Sequence, residues 1–250
     1  MLKNPRLQLG LALWLVAMTG VLALSVTVIP QVLEKAQQPV PENIAIVASM
    51  LQSGVLVALA AWAGAMLSRP VGLGAPVIER LLAGSGAWRA LRPQLLPATI
   101  VGLLVAGMLV FFGNAAPPQL KALGQAFEVP LSAKLLYGGV AEEVLMRWGL
   151  MTLLVWLPWR FSQKCSDPPK TAYVIGAIFI TAILFGVGHL PAAASMGAEL
   201  DTPVVAYVLL GNALPGIMFG ALYWRYGLES AILAHALAHA ASTLVAWLTI

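Results

Sequence analysis

Apolar residues in this chain come in long unbroken runs rather than in the alternation of half-buried strands or the single stripe of soluble helices. Seven runs read as helices: Leu9 to Ile29, Ile44 to Leu67, Leu95 to Phe112, Ser132 to Trp156, Thr171 to His189, Pro203 to Tyr223, and Ser230 to the C-terminus. Each approaches the roughly 20 residues that cross a hydrocarbon core of about 30 Å. Between them, Pro30 closes the first helix and Gln31 to Glu42 is a polar loop. Ser68 to Gln94 is a Gly- and Arg-rich connection in which Val77 to Leu82 reads as a short interfacial helix. Gly113 to Leu131 is a second polar loop, Pro158 to Lys170 a basic turn, and Pro191 closes the fifth helix. A spanning β-barrel would need short alternating segments, and the sequence has none. The expected fold class is all-α: a polytopic transmembrane bundle of about seven spans.

Composition supports this reading. Hydrophobic residues make up 60% and charged residues 10% of the chain, against about 25% charged in soluble domains. The net charge of +4 is spread over loops, with no basic cluster that would mark a nucleic-acid partner. Its distribution instead sets an orientation. Lys3, Arg6, Arg69, Arg80, Arg89, Arg92, Arg160, Lys164, Lys170 and Arg225 fall on one side of the expected bundle. The other side holds Lys35, Lys121 and Lys134, together with Glu199 and Asp201. By the positive-inside rule the N-terminus is cytoplasmic and the C-terminus outside, in a multi-pass protein of the cell inner (cytoplasmic) membrane whose first partner is the lipid bilayer. Lys3 and Arg6 ahead of a long apolar run resemble a signal peptide. The run has no clear small-x-small cleavage site, however, and reads as a retained first helix. The single cysteine, Cys165, excludes an intramolecular disulfide and a multi-cysteine metal cluster.

Charge inside the expected spans is rare and concentrated. Glu142, Glu143 and Arg147 lie in an apolar run where each would cost about 2.5–3.5 kcal/mol at a helix centre. Glu143 and Arg147, spaced i,i+4, share a face and can be buried as a pair far more cheaply than singly. Glu142 sits about 100° further round an α-helix and has no cation in its own helix. It needs a proton, a metal or a histidine from elsewhere, and such a carboxylate suits a general base. All three histidines also fall in expected spans: His189, four residues after Phe185, and the i,i+4 pair His235 and His239. That pair has competent spacing for a divalent metal such as zinc, with Glu142, His189, His235 and His239 as the candidate ligands, although no His-Glu-x-x-His occurs. Gly138, Gly139, Gly186 and Gly188 allow close helix approach, or leave room for a peptide.

In their order, Glu142-Glu143-x-x-x-Arg147, Phe185-x-x-x-His189 and His235-x-x-x-His239 resemble the motif set of the CPBP family. These are Abi-type membrane proteases that include the type II CAAX prenyl endopeptidase. The spans Leu184 to Pro191 and Gly227 to His235 are similar beyond the motif letters, and the likeness runs from about Ala133 to Ala240. The resemblance implies an intramembrane endopeptidase acting on a membrane-tethered peptide or protein. Glu142 and His189 would activate water, His235 and His239 would stabilise the oxyanion, and Glu143, Arg147 and Phe185 would support them. The family usually has Asn or Asp at the position of His239. A neutral histidine can still donate a hydrogen bond there, and it is also a better metal ligand. Metal-dependent and metal-free glutamate mechanisms therefore both stand, the second favoured.

The expected organisation is 1–131, three helices with loops, followed by 132–250 as the catalytic core. Two other readings use the same residues: a proton- or ion-coupled transporter with Glu142 and the histidines as a relay, and a catalytically silent immunity or scaffold protein. The sequence has no internal repeat to favour a transporter. One geometric difficulty attends every reading. At 1.5 Å per residue, His235 falls roughly 8 Å from the cytoplasmic start of helix seven and His189 near the opposite end of helix five, so convergence requires tilt or shifted helix ends.

Overall fold

The computed structural model describes residues 4–36, 40–127 and 129–249. Lys3, residues 37–39 of the first expected loop, residue 128 of the second and the terminal Ile250 lie outside the described residues. Among those described, the chain is helical with no strand.

Six helices are long and apolar enough to cross a membrane: Pro5–Lys35, Glu42–Leu67, Trp88–Ala115, Thr171–Ser195, Thr202–Tyr226 and Leu228–Leu248. The first comprises α1 (Pro5–Thr27) and α2 (Ile29–Ala36), separated at Val28, and the next is α3 (Glu42–Leu67). The short α4 (Pro76–Leu82) falls where an interfacial helix was expected, followed by α5 (Trp88–Ala115) and α6 (Pro118–Ala126). The other three long helices are α9 (Thr171–Ser195), α10 (Thr202–Tyr226) and α11 (Leu228–Leu248). The remaining expected span is helical over 131–161 but is not one α-helix. It runs α7 (Leu131–Ala133), a π-helical stretch Lys134–Ala141, Glu142 and Glu143, a second π stretch Val144–Met151, and α8 (Thr152–Phe161).

Three expected boundaries are corrected, two of them at prolines. Pro30 does not end the helical run; it is the second residue of α2, where a missing N–H costs nothing. Pro191 does not close α9, which continues to Ser195 because Ala193 is buried with Val204 and Val208 of α10. The helix expected to start at Leu95 starts at Trp88 and takes in Pro93 and Pro97, held by its long packing against α11. The second polar loop likewise contains α6, whose Gln119 side chain bonds the backbone of Glu199 and the carboxylate of Asp201.

The 131–161 segment occupies the centre. α1 packs on α3 and on the first π stretch, α3 on the second, and α11 on α5 and the first π stretch; α9 and α10 pair and close the other side. Trp148, fully buried between them, donates its indole N–H to the Ala61 carbonyl at 3.1 Å. One end is sealed by a buried cluster of Trp148, Met151, Val155 and Tyr223, with Tyr223 hydrogen-bonded to Thr152 at 2.7 Å. At that end Glu229 Oε1 accepts the Val77 and Ile78 amides, both at 2.9 Å, tying α4 to the start of α11. Gly227, at φ 110°, makes the turn between α10 and α11 that places this carboxylate.

Candidate functional site

Seven residues from three helical segments assemble at one place. The backbone on either side of the paired glutamates is π-helical. The Glu142 amide bonds the Tyr137 carbonyl and the Thr152 amide the Arg147 carbonyl, both i→i+5. Between these π stretches Glu142 and Glu143 keep α-helical dihedrals, and they reach the same histidine at its two different ring nitrogens. Glu143 Oε1 lies 2.8 Å from His235 Nδ1, and Glu142 Oε2 lies 4.0 Å from His235 Nε2.

Glu143 also accepts from Arg147 at 3.0 Å, and both are fully buried. The guanidinium does more than pair within its helix. Its Nη2 donates to the Gly216 carbonyl of α10 at 3.0 Å, and it lies over the rings of Phe185 and Phe219 at 5.2 and 5.5 Å. Arg147 thus joins the 131–161 segment, α9 and α10, with cation–π attraction added to charge-assisted hydrogen bonds. Phe219 then stacks on His235 at 4.5 Å, and His239 also stacks on it at 4.9 Å. Phe185 stands edge-on to His189 at 4.6 Å.

Hydrogen-bond partners decide the tautomers. The Phe185 carbonyl can only accept, so His189 Nδ1, 2.7 Å away, carries the hydrogen. His189 Nε2 then faces Glu142 Oε1 at 3.8 Å. A carboxylate bonded to Arg147 likewise accepts from His235 Nδ1. Two imidazole Nε2 atoms and the Glu142 carboxylate therefore converge on one cavity of about 480 Å³. His239 lines the same cavity and lies over Gly138, where an added Cβ would stand 2.8 Å from its Nε2.

The depth difficulty dissolves at the helix ends. α9 runs on past His189 to Ser195, and α11 begins at Leu228 rather than Ser230, so both histidines move toward mid-helix. The four candidate metal ligands are near one another without forming a metal-binding set. Ligand atoms on a tetrahedral zinc stand about 3.3 Å apart, whereas Glu142 lies 3.8 and 4.0 Å from the two Nε2 atoms. Among the described residues no three His, Cys, Asp or Glu side chains are placed to hold a metal ion.

Three polar residues of the cavity wall escaped sequence reasoning: Lys134, Tyr137 and Asn212. Lys134 reads from sequence as a loop charge; its Nζ instead reaches Thr243 Oγ1 at 3.4 Å beside the cavity. Asn212 is the one carboxamide in α10, in the middle of an otherwise apolar stretch, and that was the available signal. Leu24, Val28, Val105 and Leu109 complete the wall, so the N-terminal helices contribute to it.

Residues 126–241 match the family model for the Rce1-like type II CAAX prenyl endopeptidases. Over that span the chain is similar to the Rce1-like family. The Rce1-like region contains all seven residues assembled above, from Glu142 to His239. Rce1-like proteins are membrane proteases, and with its long apolar helices this chain is a multi-pass membrane protein. Comparison with curated proteins and with solved structures gives no match.

Proposed function

We propose that this protein is an intramembrane endopeptidase of the cytoplasmic membrane that hydrolyses a peptide bond in a membrane-associated substrate. The observation that carries the reading is the pairing of Glu142 with His189 across the cavity, with His189 locked by the Phe185 carbonyl so that its Nε2 faces the carboxylate. A water seated between two acceptors 3.8 Å apart can donate one hydrogen to each, which holds its oxygen ready for attack. Glu142 takes the proton as the C–O bond forms and returns it to the leaving amine as the C–N bond breaks.

His235 serves the other half of the reaction. With Nδ1 bound to Glu143, its ring is held so that Nε2 points into the cavity, where in the protonated form it donates toward the developing oxyanion. His239, stacked on His235 and lining the cavity, offers a second donor where the family usually has Asn or Asp. Glu143 and Arg147 position His235, α9 and α10. The catalytic core is 132–250, with α1 and α5 supplying apolar wall.

The test is cleavage of a library of membrane-anchored peptides by purified protein in lipid bilayers, read by mass spectrometry. Wild type is expected to release fragments that Glu142→Gln does not. Equal product from both proteins overturns the assignment.

A further inference from the structure

The cavity lining reaches one end of the bundle only, and the two ends differ in charge. Its outermost lining residues are Val28, Val129, Lys134, Ala192 and Met196. These sit at the C-terminal ends of α1 and α9 and just before or within the first π stretch, all at the same end of the bundle. Measured from that end along each helix at 1.5 Å per residue, His189 lies about 9 Å deep, His239 about 14 Å, Asn212 about 15 Å, Glu142 about 16 Å and His235 about 20 Å. The site therefore spans the outer to middle depth of a core of roughly 30 Å. At the opposite end, Trp148, Met151, Thr152, Val155 and Tyr223 are each no more than 1% exposed, and Glu229 clamps α4 across. No cavity-lining residue belongs to that end.

Most of the cations lie at the closed end, against Lys35, Lys121 and Lys134 at the open one. Arg80, Arg89, Arg92, Arg160, Lys164 and Lys170 all flank the closed end. The open end carries Glu199 and Asp201 in the α9–α10 connection. Basic residues in short loops stay cytoplasmic.

We infer that the cavity opens on the non-cytoplasmic face of the membrane. Its substrate class, a statement that rests on the endopeptidase reading, is then a peptide segment presented at the outer leaflet by a membrane-anchored protein, not a cytoplasmic tail. Sidedness follows from geometry and charge and does not depend on that reading.

The chain's one cysteine makes the test direct, because Cys165 is exposed in the connection between α8 and α9 at the closed end. Intact cells expressing the full chain are treated with a small membrane-impermeant methanethiosulfonate, which reacts with thiolates in water. Cys165 is expected to react only in inside-out vesicles. In a Cys165→Ser background, Ser195→Cys reports the rim. Gly188→Cys reports the cavity, since a Cβ there meets nothing within 4 Å. Gly211→Cys is the second cavity reporter, its Cβ in ordinary contact with Phe112 at 3.8 Å. All three are expected to react in intact cells. Reaction of the cavity cysteines only from the inside, or from neither side in protein that stays monodisperse, overturns the inference. Tethered peptides offered to right-side-out and inside-out vesicles separate the two claims. Outside labelling with cleavage in right-side-out vesicles alone supports both. Outside labelling with no cleavage in either leaves the sidedness standing and removes the endopeptidase reading.

Discussion

His189 Nε2 lies 3.8 Å from Glu142 Oε1, and the His189 ring is held in one tautomer by a 2.7 Å bond to the Phe185 carbonyl one turn earlier. Neither residue has its partner within its own helix, so the pairing depends on how α9 seats against the 131–161 segment.

Glu142→Gln keeps the shape of the side chain but removes the base. Cleavage is expected to fall by about 10²- to 10⁴-fold, the usual contribution of a positioned general base. The thermal midpoint in detergent should stay near wild type, because the Glu142 side chain is partly open to the cavity and its nearest partners are no closer than 3.8 Å. Initial rates and a melting curve on the same preparation check both halves.

Gly138→Ala places a methyl group 2.8 Å from His239 Nε2. The imidazole must move, and a displacement near 1 Å in a catalytic group is worth about 100-fold in rate. Gly176→Ala, in α9 with open space around its Cβ, is the matched control and should keep full activity. Similar rates in the two variants would remove His239 from the mechanism.

Arg147→Met leaves Glu143 buried without its cation and frees the Gly216 carbonyl. Loss of one partner from a buried ion pair costs about 3–5 kcal/mol. The double variant Glu143→Gln, Arg147→Met should recover part of that loss while remaining inactive, since His235 has then lost its carboxylate. Unfolding measured for the two singles and the double gives the coupling directly.

Glu229→Gln weakens the clamp on α4 at the sealed end, where one carboxylate oxygen accepts two backbone amides. A loss of roughly 1–3 kcal/mol is expected, with turnover at saturating substrate little changed because the residue lies outside the cavity lining. Melting temperature and turnover measured together separate this structural role from a catalytic one.

Chelator is expected to leave cleavage unaffected, and the purified protein to carry no stoichiometric zinc. The carboxylate and the two Nε2 atoms stand 3.8 and 4.0 Å apart, wider than the roughly 3.3 Å of neighbouring ligands on zinc. Metal lost together with activity on chelation would show that the site contracts around an ion.

Much of this was legible without coordinates, and the omissions have physical causes. Length of apolar run is a local property, so six spans and the short α4 fell close to their expected places. Pro30 and Pro191 misled because a proline ends a helix only where nothing else holds the next turn. Pro30 sits in a first turn, and Ala193 anchors α9 beyond Pro191. Lys134 looked like a loop charge because its distance from Glu142 along the chain concealed the shared cavity wall.

The sequence by itself determined that the chain lives in a membrane as a bundle of helices, and which acidic, basic and imidazole groups are buried there, since burying them in hydrocarbon is costly wherever they point. Only the tertiary structure decided how those groups divide the work. Helix packing sets Glu142 and Glu143 of the 131–161 segment against His235 of α11, brings His189 of α9 within 3.8 Å of Glu142, and buries the Trp148–Tyr223 cluster at the end that the cavity lining does not reach. Rotation, depth and closure are set by how helices pack against one another, and residue spacing along one helix carries no record of its neighbours.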